Sequence, residues 1–217
     1  MASKIPQDYA NLASFAIIVA QSWKANHANY SVKFIDYQTL SDKAETFRQQ
    51  AVTNATFDAA RKTNTEALKK SNANIDNAVK VLRRYIQGEF ATLTDFSAQY
   101  SAYGLEAKAS SPTYYLPVDN DRRQQQLNIL VSKLELPSNP FRNKEYGYEY
   151  FKSLKEEHAK HWGNTKTLTV NKSVSSHATR TAFTELKNWL QKLQAQIKID
   201  FAKSEQAEVL KEFGFSF

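Results

Sequence analysis

The stretch "EEHAKHW" places Glu157, His158 and His161 within five residues, and on a helix Glu157 and His161 share a face. Two imidazoles and a carboxylate at that spacing can hold a divalent metal. A di-iron bundle would need Glu-x-x-His on two helices, and no Glu-x-x-His occurs in the chain. His158 also keeps step with Leu154 and Trp162, so the same spacing describes a packed, hydrogen-bonded core histidine. The other two histidines, His27 and His177, are read at helix ends.

A second set of residues could read phosphates. Arg83 and Arg84, Arg122 and Arg123, with Lys62, Lys69, Lys70 and Lys80 nearby, could contact a nucleic-acid backbone while Tyr85 stacks on a base. Glu66, Asp76 and Glu89 dilute that charge. Arginines at a helix start oppose its dipole, which makes Arg122 and Arg123 expected partners of the adjacent Asp119 and Asp121 or of another surface. The chain's 29 basic and 22 acidic residues give +7, but they are interleaved, which describes a mildly basic solvated surface.

The tyrosines are more distinctive. Tyr100, Tyr103, Tyr114, Tyr115, Tyr146, Tyr148 and Tyr150 gather in the links rather than on helical core stripes. They can close the ends of a helical bundle or form a surface for a protein partner, which could be a second copy of the chain. Both readings fit.

Other chemistry lacks its motif. There is no Gly-x-Ser-x-Gly, no Gly-x-Gly-x-x-Gly and no Walker-type loop, and zero cysteines remove disulfides, thiolate metal sites and cysteine nucleophiles. Nothing calls for a cofactor or marks a small-molecule substrate, and the balance leans away from an enzyme.

The elements that must position these residues are helical. Five glycines and five prolines in 217 residues, with abundant Ala, Lys, Gln, Glu and Leu, favour an all-α chain. Helix one is expected from about Pro6 to Ala25, with Leu12, Phe15, Ala16, Val19 and Trp23 as its stripe. Its sequence "NLASFAIIVAQSWK" has some signal-peptide character, but Asp8 and the helical stripe make it a globular helix. Its apolar run is also far short of the ~20 residues a bilayer span needs. A cytoplasmic protein is expected.

"SVKFIDY" reads as an extended link, followed by a helix capped by Ser41. "TNTE", Thr63 to Glu66, has the form of a capping box and predicts a new helix start, with Leu68, Ile75, Val79, Leu82, Ile86 and Phe90 on its core face. Gly104 closes that region, with Leu105 folding back onto Tyr100. Beyond "KASSP", Asp119 caps a fourth helix bearing Leu127, Leu130, Val131 and Leu134. A fifth carries Phe151, Leu154, His158 and Trp162 and is expected to stop at Gly163. "TKTLTVNKS" reads as extended, and a sixth helix follows Phe183, Leu186, Leu190, Leu193, Ile197 and Phe201. Gly214 closes the last turn, with Phe215 able to fold onto Leu210.

These elements repeat. At a shift of 111 positions Ile5-Pro6-x-Asp8 falls on Leu116-Pro117-x-Asp119, and Ile75, Val79, Leu82, Ile86 and Phe90 fall on Leu186, Leu190, Leu193, Ile197 and Phe201. At one position less, Tyr103-Gly104-Leu105 falls on Phe213-Gly214-Phe215. The expected architecture is therefore about six helices in a bundle, from two tandem pseudo-repeated three-helix units, 1–110 and 111–217, with short extended links and packed as one domain. The expected function is a non-catalytic helical scaffold or interaction protein that self-associates into a homo-oligomer or larger assembly. A nucleic-acid-binding accessory protein is the alternative.

Overall fold

The computed structural model describes residues 5–30, 32, 35–93, 97–108 and 111–215. Among them the chain is all-α apart from one short hairpin. The order is α1 (Tyr9–Asn26), α2 (Tyr37–Phe90), α3 (Ser97–Ala102), β1 (Glu106–Lys108), β2 (Ser111–Tyr115), α4 (Asn120–Glu135), α5 (Tyr148–Asp200) and α6 (Gln206–Glu212). No helix among the described residues is long and apolar enough to cross a membrane.

The caps act where the sequence placed most of them. Asp8 accepts from the Asn11 amide at 2.9 Å, and Asp119 from the Arg122 amide at 2.9 Å, each satisfying an N–H that the first helical turn leaves without a carbonyl. α1 therefore starts after Asp8, leaving Pro6 outside it. The second helix is capped by Asp36, which accepts from the Thr39 amide at 2.6 Å, and Ser41 lies inside that helix. Val32 and Ile35 form an isolated antiparallel bridge, whereas Lys33 and Phe34 of the expected link lie outside the described residues.

Gly104 (φ +74°) and Gly214 (φ +82°) adopt the left-handed conformation. There the Leu105 amide reaches the Tyr100 carbonyl at 3.0 Å and the Phe215 amide reaches the Leu210 carbonyl at 2.9 Å, the back-bonded helix stop expected at both places.

Two breaks expected from the sequence are absent. α2 runs through Thr63–Glu66 and α5 through Gly163 and the whole of "TKTLTVNKS", as helices of 54 and 53 residues. A capping box acts only where the chain leaves the helix. Here no Gly or Pro interrupts residues 41–87, so the amides Thr63 would cap stay in the intrahelical ladder. In α5 the threonine hydroxyls bond back onto the preceding turn: Thr165 to the His161 carbonyl at 2.9 Å, Thr167 to Gly163 at 3.2 Å and Thr169 to Thr165 at 2.7 Å. A Thr-rich run thus stays helical without exposing unpaired hydroxyls. Of "KASSP", Lys108 ends β1 and Ser111 and Pro112 open β2, a pairing that sets Glu106 opposite Tyr115 and Ala107 opposite Tyr114, while Ala109 and Ser110 lie outside the described residues.

The chain folds into two compact units, residues 1–59 with 170–217 and residues 60–169, so each draws on both halves of the sequence. In the first unit, α1 packs Leu12, Ala16, Val19 and Trp23 against Leu40 and Phe47 of α2, Leu186 to Ile197 of α5, and Phe213 and Phe215 beyond α6. Its α2 and α5 segments run antiparallel, crosslinked by Lys43–Glu185 at 3.6 Å, Gln50–Thr179 at 3.3 Å, Asn54–Ser176 at 3.0 Å and the Asp58–Lys172 ion pair. In the second unit, Ile75, Val79, Leu82 and Ile86 of α2 meet Leu127, Leu130 and Leu134 of α4, Phe151 of α5, and Tyr103 and Phe141 from the connections. Its antiparallel pair is joined by Asn64, which donates to the His161 carbonyl at 2.9 Å and the Thr165 hydroxyl at 2.8 Å.

Candidate functional site

The second unit buries a polar network, and Arg123 anchors it. This arginine, one of the α4 pair, is only 4% exposed. Its Nε donates to the Pro117 carbonyl at 2.7 Å, one Nη to Asn72 Oδ1 at 3.0 Å, and the other pairs with Asp76 at 3.1 Å. A buried guanidinium is tolerated only when its donors are filled in this way. Arg122 points elsewhere and forks onto Glu106 at 2.8 and 2.9 Å. The expected partners Asp119 and Asp121 are taken instead by the α4 cap and by Lys166, at 2.6 Å, with the Trp162 indole at 2.9 Å.

From Arg123 the network has a fixed sense. A guanidinium only donates, so Asn72 shows it an oxygen, and the Asn72 NH2 then donates to Asn120 Oδ1 at 3.2 Å. That same oxygen lies 3.2 Å from His158 Nε2. Nε2 must therefore carry the ring proton. Nδ1 lies 2.7 Å from Gln124 Oε1, and in a neutral ring it is satisfied when the Gln124 amide turns its NH2 into that place. His158 is fully buried, and burial, followed by the Arg123 charge and His161, pushes it down to about 4. It is neutral at pH 7.

The residues considered as metal ligands are thus divided. Both His158 nitrogens are engaged by amides, while His161 faces Asn64 at 3.3 Å and Glu157 at 3.9 Å. Among the described residues no group of three His, Asp or Glu side chains is placed to hold a metal. Of the other histidines, His27 caps α1 and stacks on Phe213 at 4.4 Å, whereas His177 lies exposed within α5.

The tyrosines also divide. Tyr100 and Tyr103 are buried, Tyr100 stacking on Tyr114 at 4.3 Å and Tyr103 taking a 2.8 Å hydrogen bond from Asn139. Tyr148 donates to Glu135 at 3.1 Å, and Tyr146 meets Tyr150 edge-on at 4.8 Å. These contacts fold the connections onto the unit's core. Tyr150, 39% exposed, presents the most surface of the seven.

Beside the network lies a cavity of about 500 Å³ that joins residues from both sequence readings. α2 contributes Asp76, Val79, Lys80 and Arg83, and the hairpin side contributes Tyr114, Tyr115, Leu116 and Val118. Arg123 reaches its edge, while Arg84 does not line it and is exposed. The four phosphate-reading candidates are therefore divided: Arg83 and Arg123 meet at this cavity, the latter buried and paired with Asp76, while Arg122 is locked to Glu106 and Arg84 faces solvent.

Sequence reasoning missed the network as a unit, although its signal was present. Asn72 is a polar break in an apolar stripe, and Arg123 stands 111 positions after the apolar Leu12. The residues 111 positions away from Asn120, Arg123, His158 and Asn72 are Tyr9, Leu12, Phe47 and Phe183, all in the first unit, and the three rings meet at 4.8 to 5.9 Å. No protein-family model matches the chain, no curated protein matches its sequence, and no solved structure matches its fold.

Proposed function

We propose that the chain is a helical scaffold or interaction protein, built from two structural copies and self-associating through its surfaces, that acts by contact rather than by making bonds. The observation that carries this reading is the composition of the two compact units. Each takes its first short helix from one half of the sequence and its last from the other, as α1 with α6 and α4 with α3. Halves that complete each other in this way behave as the subunits of an isologous pair, whose self-complementary surfaces recur in two places.

The boundaries support the two-copy reading. The caps Asp8 and Asp119 and the helix starts Tyr37 and Tyr148 are each 111 residues apart, and the left-handed glycines are 110 apart. His158, fully buried, is committed to amides and uncharged, which suits a packing role better than proton transfer. For self-association the first unit offers Val52, Val170 and Val174, each 60% exposed or more, and a groove lined by Phe57, Val174 and Ala178. Light scattering over a concentration series tests the reading: the mass rises above 24.8 kDa with concentration, and a mass fixed at 24.8 kDa overturns self-association.

A further inference from the structure

We propose that the cavity between α2 and β2 in the second unit binds a small amphipathic carboxylate, its head held by Lys80 and Arg83 and its apolar body against Leu116, Val118 and the Tyr115 ring. The inference does not depend on self-association. It rests on the cavity's size, its charge and the asymmetry of its walls.

A volume of about 500 Å³ falls in the range of ~300–1,000 Å³ usual for small-molecule sites. Asp76, Val79, Lys80 and Arg83 follow the three-and-four spacing that puts them on one helical face, so the two cations stand one turn apart along the same wall. The Arg123 charge is already balanced by Asp76 at 3.1 Å. Lys80 and Arg83 have no carboxylate among the cavity's remaining lining residues. Lys80 is solvent-exposed and among the described residues makes only a 3.1 Å contact with the neutral Asn77 side chain. Arg83 Nε is buried without a hydrogen-bond partner among the described residues, a donor whose desolvation a bound oxygen would offset.

The opposite wall is apolar. Leu116 is buried and Val118 is 81% exposed, an apolar side chain left in water at the cavity's edge. With Asp76 offset by Arg123, Lys80 and Arg83 are the cavity's uncompensated charge, and a carboxylate placed on them leaves the Arg123–Asp76 pair intact. At the places 111 residues later than Lys80 and Arg83 the chain has Gln191 and Gln194, so the paired cations belong to one half only.

The test uses 2-naphthoate as probe and 2-naphthamide as its uncharged control, with amide NMR shifts read on the full chain. Naphthoate is expected to shift residues 76–83 and 113–118 saturably, and naphthamide to bind at least tenfold more weakly. Lys80→Gln, on an exposed side chain that folding does not need, and Arg83→Gln are each expected to weaken naphthoate at least fivefold, while Arg84→Gln leaves it unchanged. Equal binding of acid and amide, shifts confined elsewhere, an effect of Arg84→Gln equal to that of Lys80→Gln, or no binding at all would overturn the proposal.

Discussion

His158 Nε2 lies 3.2 Å from Asn120 Oδ1, and 111 positions earlier the same two places hold Phe47 and Tyr9, whose rings meet edge to face at 5.7 Å. On the two-copy reading proposed above, one position in the helical framework is filled by a hydrogen-bonded pair in one unit and by an aromatic pair in the other. Both solutions satisfy burial, one by pairing polar atoms and the other by having few.

The protonation of His158 follows from this pairing. Its folded value of about 4 lies below the ordinary 6.5, so the unfolded chain takes up a proton that the folded chain refuses as pH falls. Stability on this account is fully present above about pH 6.5 and is lost between there and about pH 4, by on the order of 3 kcal/mol. Urea denaturation of the parent and of His158→Gln across that range measures the difference. The parent should lose more stability than the variant, and nitrogen shifts of the parent at pH 7 should show a neutral ring protonated on Nε2.

The network should be all-or-none. Arg123→Leu alone leaves Asn72 and the Pro117 carbonyl without their donor and is expected to destabilise by about 3 kcal/mol. Adding Asn72→Phe, Asn120→Tyr and His158→Phe transplants the side chains of the first unit. The fourfold variant should be more stable than the sum of its single changes by at least about 2 kcal/mol in denaturant melts. Simple additivity would show that the two sets are not alternative fillings of one framework position.

Continuity of the long helices is tested at their expected breaks. If Thr63 capped a helix, Thr63→Ala would cost about 1 kcal/mol; within a continuous α2, on an exposed site, it changes stability by less than about 0.5 kcal/mol. Carbon chemical shifts through residues 53–70 and 160–178 should be helical without interruption.

The glycines separate by conformation. A Cβ at Gly163 or Gly88 would meet nothing within 4 Å, so Gly→Ala at either should stabilise by about 0.5–1 kcal/mol. At Gly104, with φ +74°, the same Cβ would stand 2.8 Å from the Gln126 carbonyl oxygen. Gly104→Ala should destabilise by at least about 1–2 kcal/mol, and thermal melts of the three variants rank them directly.

What was legible in the sequence was whatever periodicity and rare residues carry. The Leu186–Ile197 stripe, the caps Asp8 and Asp119 and the stops at Gly104 and Gly214 each have a local cause and stand where the sequence put them. The joins at residues 48–66 and 163–182 were not legible. There α2 and α5 are held by polar contacts such as Asn54–Ser176 and Asn64–Thr165, which leave no apolar stripe for a sequence to display. The cavity was hidden for a related reason: Arg83 and Tyr115 are far apart in the chain, and the hairpin brings them to one cavity.

The measurement closest to the central claim is the mass of the chain in solution, by light scattering from low to high micromolar concentration, for the parent and for a Val170→Glu, Val174→Glu variant. The self-associating scaffold proposed here predicts a parent mass that rises toward a multiple of 24.8 kDa and a variant held near 24.8 kDa by charges on that exposed face. A parent that stays at 24.8 kDa throughout would contradict it.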